Sequence, residues 1–112
     1  MTPSLLLSRM EIAHHQTEAH LDMIERQIAA RAERMTITAK AKAKSHRRGR
    51  SRWTRSDETM LRAYVEQLRF ERRGEIAALS RKLSRQERAI LTIRTKTASD
   101  GSTAEADAQA SF

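Results

Sequence analysis

Residues 40–58 read KAKAKSHRRGRSRWTRSDE, and this stretch separates two parts of the chain that differ in their apolar pattern. No acidic residue lies between Glu33 and Asp57, whereas nine Lys and Arg residues do. The whole chain carries a formal net charge of +8, so residues 34–56, which carry +9, contain all of the excess positive charge. Because like charges repel one another and leave nothing apolar to bury, we predict an open basic linker over residues 36–52 that attracts polyanions.

The composition of the chain favours a small helical binding protein over an enzyme. Of its 112 residues, 32% are charged and only 4% are aromatic, which is too little apolar material to wall a deep pocket. One Pro and three Gly predict an all-α fold, because strands and hairpins need more turn residues. The absence of Cys excludes disulfides and thiolate metal sites.

Motifs of enzymes, metal sites and membrane segments are also missing from the sequence. There is no Gly-rich phosphate loop, no HExxH pattern and no nucleophile–base pair, so we predict neither an enzyme nor a cofactor. His14, His15 and His20 form no evident carboxylate–histidine arrangement, and no metal site is predicted. The apolar run 5–7 is too short for a signal peptide or a membrane span, which predicts a cytoplasmic or nucleoid-associated protein.

The first 35 residues predict a long amphipathic helix, because Ser4 to Met35 contains neither Gly nor Pro. Its apolar stripe follows a heptad pattern with three polar interruptions. The stripe is formed by Leu7, Met10, His14, Thr17, Leu21, Ile24, Ile28, Arg31 and Met35. Such a stripe needs a cover, which can be a second copy, a different protein or the rest of this chain. For the homodimer, the predicted contact residues are Leu7, Met10, His14, Leu21, Ile24 and Ile28.

The basic linker is the primary candidate for binding nucleic acid, with phosphate neutralisation as its predicted role. The predicted contacts are Lys40, Lys42, Lys44, Arg47, Arg48, Arg50, Arg52 and Arg55. The triplet 48–50 (RGR) resembles the AT-hook, in which Arg side chains enter the minor groove, although Ser51 stands where that motif has Pro. RNA, an acidic protein surface or an import receptor are alternative partners.

Residues 53–96 predict a compact unit of three helices. Thr54 or Ser56 can cap the first helix, and Asp57 and Glu58 lie in its first turn. A charged connection over 69–74 leads to a short second helix. The pattern of a capping box over 84–87 then opens a third helix, with a tight turn at Leu83–Ser84. This order of elements predicts a helix-turn-helix.

This unit resembles the Myb/SANT-like helix-turn-helix family. The matching residues are Trp53, Thr54, Asp57, Glu58, Leu61, Tyr64, Val65, Glu75, Ile76, Ala77, Ser80, Leu83, Ser84 and Arg85. The resemblance implies that the third helix lies in the major groove of DNA. Its contact candidates would then be Arg85, Gln86 and Arg88 at base edges, Lys96 at phosphate, and Thr92 and Thr95.

The acidic stretch 97–112 completes the predicted organisation as a disordered tail, because it is rich in Ser, Ala and Asp. The four parts together favour a small protein that binds double-stranded DNA, with or without sequence preference, as a bacterial or phage transcription regulator and as a homodimer. The alternative is an interaction adaptor that binds a regulator or polymerase through the N-terminal helix.

Overall fold

The computed structural model of the protein describes residues 2–44 and 52–110, with the side chains of residues 2–43 and 52–99. It contains three α-helices in this order: α1 (Pro3–Lys44), α2 (Arg55–Glu71) and α3 (Arg73–Ala110). No strand occurs within the described ranges. The prediction of an all-α fold with a long N-terminal helix is therefore confirmed.

The chain divides into two compact units, the first formed by Met1–Ala19 with Leu79–Phe112 and the second by His20–Ala78. In the second unit, α1 and α2 run antiparallel. Glu25, early in this part of α1, pairs with Arg69 near the end of α2. Lys40, near the end of α1, pairs with Asp57 at the start of α2 at 2.8 Å. The core of this unit consists of Ile24, Ile28, Ala32, Thr36 and Leu68.

In the first unit, α1 and α3 are also antiparallel. Glu11 pairs with Arg94, and His14 Nε2 lies 3.3 Å from Glu87 Oε1, so positions that rise along α1 fall along α3. Thr17 and Ile90 are buried in this unit. The Thr17 hydroxyl donates to the Ala13 carbonyl at 3.1 Å, which satisfies it without a partner on another helix.

The predicted heptad stripe of α1 is the face that the structure buries, up to Ile28. After Ile28 the buried pattern shifts by one residue. Arg31, which the heptad placed in the stripe, is exposed, and Ala32 is fully buried instead. An extra step of four residues lets an α-helix keep one face inward when a strict heptad would drift. The cover of this stripe is the rest of the same chain, which was one of the three alternatives.

The predicted helix-turn-helix is wrong. α3 runs without interruption through Leu83–Ser84, so the second and third predicted helices are one helix. The inward positions explain this, because their alternating steps of four and three residues continue along a single helix face. They are Leu79, Leu83, Gln86, Ile90 and Ile93. A Ser with Glu three residues later marks a helix start only where the preceding residues cannot stay helical, and here they can.

The break between helices lies at Arg72, within the predicted connection 69–74, most of which is helical. Arg72 has φ −102° and ψ 15°, and its N–H donates to the Leu68 carbonyl at 3.1 Å. On a regular helix face, inward positions follow one another at alternating spacings of three and four residues. Between Tyr64 and Leu79 this alternation is broken by two additional spacings of four residues. The interruption therefore falls where the heptad pattern itself is interrupted.

Two further boundaries differ from the predictions. The basic linker does not start at residue 36, because α1 continues to Lys44. Thr36 is fully buried and its hydroxyl donates to the Ala32 carbonyl at 2.8 Å, so a weak helix former is held by packing. The predicted disordered tail is helical up to Ala110, since extending a formed helix needs no new nucleus and Ala residues favour it. Residues 45–51 and 111–112 lie outside the described part of the chain.

Candidate nucleic-acid interface

The two ends of the basic linker are joined through Lys40. Its ammonium donates to Asp57 Oδ2 at 2.8 Å and to the carbonyl of Arg52 at 2.6 Å. The side chains of Lys40 and Asp57 are only 16% and 10% exposed, so this ion pair is largely shielded from water. The end of α1 and the residues preceding α2 are thereby fixed next to each other.

The start of α2 is a capping box, which confirms the predicted N-terminus and selects Thr54 over Ser56 as its cap. The Asp57 N–H donates to the Thr54 hydroxyl at 3.1 Å, and the Thr54 N–H donates to Asp57 Oδ2 at 2.7 Å. Asp57 therefore accepts from Lys40 and from the cap through the same oxygen. The Asp57 carboxylate therefore stabilises both the start of α2 and the contact between α1 and α2.

Trp53 lies beside this ion pair and is 45% exposed. Its indole N–H donates to Glu58 Oε2 at 3.0 Å, and the Lys40 ammonium lies 5.3 Å from the ring centroid. This distance suits a cation–π contact. Trp53 thus contacts the ion pair through Lys40 and stays partly exposed rather than filling a core.

The hydrogen bond from Lys40 lowers the pKa of Asp57 below its ordinary value of 3.8, and the N–H of Thr54 lowers it further, while burial acts in the opposite direction. A carboxyl group with a depressed folded-state pKa stabilises the fold above its unfolded pKa. This contribution disappears as the pH falls through the lower folded-state value.

Asp57→Asn should therefore lower the melting temperature at neutral pH by several degrees, because it leaves Lys40 without its carboxylate. We expect the difference from the wild type to be constant at pH 6–7 and to shrink as the pH falls below 3.8. Thermal melts followed by circular dichroism at several pH values measure this. Asp22→Asn, at an exposed position of α1, is the control and should change little. A pH-independent difference for Asp57→Asn would contradict the assigned cause.

The predicted contacts of the basic linker fall into three groups. Lys40 is paired with Asp57 at 2.8 Å, and its role as a phosphate ligand stays a prediction. Lys42, Arg52 and Arg55 are exposed. The remaining candidates lie outside the described side chains; they are Lys44, Arg47, Arg48 and Arg50.

A second basic surface follows α1 toward the linker. Arg31, Arg34 and Lys42 line a groove of about 480 Å³ together with Tyr64 of α2. Arg31 and Arg34 are exposed and lie one turn apart. Arg31 was predicted in the stripe that packs, so the shift of the buried face to Ala32 releases it to the surface. A heptad pattern alone could not find this.

On α3, the predicted contacts Arg85, Arg88, Thr92 and Lys96 are exposed at spacings that share one helix face. Arg81 precedes them on that face and was not predicted. The Thr92 hydroxyl donates to the Arg88 carbonyl at 2.8 Å. Thr95 is exposed as well.

Gln86 does not share the exposed face of α3 with the other predicted contacts. It lies among the inward positions of α3, half-buried, and its Oε1 atom is buried without a hydrogen-bond partner among the described residues. The resemblance placed it at the start of a separate helix, where it would have been exposed. In a continuous α3, its register directs it inward.

The predicted dimer contacts are covered by their own chain. Ile24 and Ile28 are 0% and 2% exposed. The other four are half-buried, namely Leu7, Met10, His14 and Leu21. A homodimer through this stripe would have to open the helix pairs first.

Comparisons of the chain with protein family models, with curated proteins and with solved structures find no match. Among the helices of the described residues, none combines the length and apolar character needed to cross a membrane.

Proposed function

We propose that the protein binds double-stranded DNA through phosphate contacts made by the basic linker and the adjacent surface of α1. The observation that supports this most is the Lys40–Asp57 ion pair at the base of the linker. Beyond this pair, residues 41–55 contain seven further Lys and Arg residues and no Asp or Glu in the sequence.

Fixed linker ends favour binding in a second way. A segment between two anchored positions loses less conformational freedom on binding than a free tail of the same length. Lys40 donates directly to the carbonyl of Arg52, so both anchor positions lie beside each other. Arg47, Arg48 and Arg50 lie between these positions in the sequence.

The proposed binding tolerates many DNA sequences. Phosphate contacts position a protein on the duplex but carry no base information. Because α3 lacks the turn of a helix-turn-helix, we assign Arg81, Arg85, Arg88 and Lys96 to auxiliary phosphate contacts. Any preference would come from Arg48 and Arg50 in narrow A·T-rich minor grooves, by analogy with the AT-hook. A role in transcription regulation remains a prediction.

Salt dependence tests the proposal. Each neutralised phosphate contributes about −0.9 to the slope of log K against log salt concentration, so five to seven contacts predict about −4.5 to −6.3. Fluorescence anisotropy with two unrelated duplexes, one A·T-rich and one G·C-rich, between 50 and 300 mM NaCl measures this. We expect steep slopes of similar size for both duplexes. A slope shallower than about −2 would contradict binding through the linker.

The adaptor remains the second candidate because α1 carries large apolar side chains that the described part of the chain leaves exposed. Leu5, Ile12, Met23 and Ile37 are 45–57% exposed. A partner protein or a second copy could pack there without opening the helix pairs. Sedimentation equilibrium distinguishes these two occupants. A dimer favours packing of a second copy, and a monomer favours a partner protein.

A further inference from the structure

Two histidines and a glutamate of α1 converge in the first unit. Glu18 Oε1 lies 3.1 Å from His14 Nδ1, and Glu18 Oε2 lies 3.9 Å from His15 Nδ1. The donor atoms of all three residues lie within 4.8 Å of one another. We propose that these residues bind a divalent transition-metal ion such as Zn²⁺, and that Glu87 of α3 orients His14.

The distances suit such an ion. A tetrahedral zinc with bonds of about 2.1 Å separates its ligand atoms by about 3.4 Å. His14 Nδ1 and Glu18 Oε1 lie 3.1 Å apart, close to that value, and the donor atoms of all three residues lie within 4.8 Å, so rotations of the exposed side chains complete the arrangement. Two imidazoles and one carboxylate are a donor set that zinc takes in proteins, with water in the fourth position.

Burial and exposure are compatible with an ion at this place. The side chain of His14 is 17% exposed, that of Glu18 is 45% exposed and that of His15 is 77% exposed. His14 is therefore held by its surroundings, while the other two ligands face water. The open side leaves room for a water ligand and gives the ion direct access.

Glu87 supplies the outer interaction that metal-binding histidines usually have. Its Oε1 atom lies 3.3 Å from His14 Nε2. When Nε2–H donates to Glu87, Nδ1 carries the lone pair and faces Glu18. Glu87 is therefore a positioning residue, and it belongs to α3 rather than α1. The sequence pattern concealed the group, because Glu87 was interpreted as part of a capping box at a helix start.

Zn²⁺ titration of the full-length protein without a polyhistidine tag, against a chromophoric chelator, tests the ligands. We expect one ion per chain and at least tenfold weaker binding for His15→Ala and for Glu18→Gln. His15 and Glu18 are partly or largely exposed, and circular dichroism verifies that both variants fold. The control removes the other two histidines, as His20→Ala with His46→Ala, and should bind as the wild type does. Failure of the wild type to bind, or equal loss in the control, overturns the site.

Co²⁺ tests the role of Glu87. We expect Glu87→Gln to keep one ion per chain, to weaken binding by about tenfold or more, and to shift the visible absorption of the bound Co²⁺. Such a shift reports on the ligand field and does not follow from a loss of stability alone. An unchanged affinity and spectrum would overturn the positioning role of Glu87.

Discussion

Replacing Arg47, Arg48, Arg50 and Arg52 with Gln is expected to weaken binding to duplex DNA by about 100-fold or more at 100 mM salt. Each of these cations releases a counterion from the DNA when it contacts a phosphate. Four lost contacts should also make the slope of log K against log salt shallower by about 3.6. Anisotropy titrations of both proteins over the same salt range measure both quantities.

The control for this variant removes the same charge from α3. Arg81, Arg85, Arg88 and Lys96 are exposed, and their replacement with Gln also changes the net charge by four units. We expect a loss below tenfold, because these residues are assigned to auxiliary contacts. Equal losses in both variants would mean that only total charge matters. A larger loss in the α3 variant would transfer the binding site to α3.

Ile24→Ala is expected to have the largest effect on stability. Ile24 is fully buried in the second unit, so truncation removes its transfer free energy and leaves a cavity. Such substitutions lower the free energy of unfolding by about 2–5 kcal/mol, which is a large share of the stability of a small domain. Urea unfolding followed by circular dichroism at 222 nm measures the change.

Ile37→Ala is the matched control, because it changes the same residue type on the same helix at a position that is 52% exposed. We expect a change within about 0.5 kcal/mol, as for most surface substitutions. Equal destabilisation by the two variants would show that the outer face of α1 is covered as well. Such an outcome would favour self-association through the face of the second unit that carries Ile37.

Some residues of the candidate sites could be predicted from the sequence, and others could not. The basic linker could be predicted because a high density of Lys and Arg is visible in the sequence without knowledge of any tertiary contact. Arg31 was missed because one extra residue in the heptad turned it outward. The group of His14, His15, Glu18 and Glu87 was missed because Glu87 lies 73 positions after His14 in the sequence, and only the pairing of α1 with α3 brings these two side chains together.

The sequence by itself determined that this protein is helical, that its first helix is long, which face of that helix is apolar, and that α2 begins at Thr54–Asp57. Each of these follows from interactions between residues a few positions apart. The tertiary structure decided that the same chain covers the apolar face, that α3 is continuous through Ser84, and that Lys40 pairs with Asp57. A local pattern at Ser84 is compatible with a helix start and with a helix interior. Burial of the inward face of α3 against α1 selects the helix interior at Ser84, since this burial stabilises the continuous helix more than a cap could.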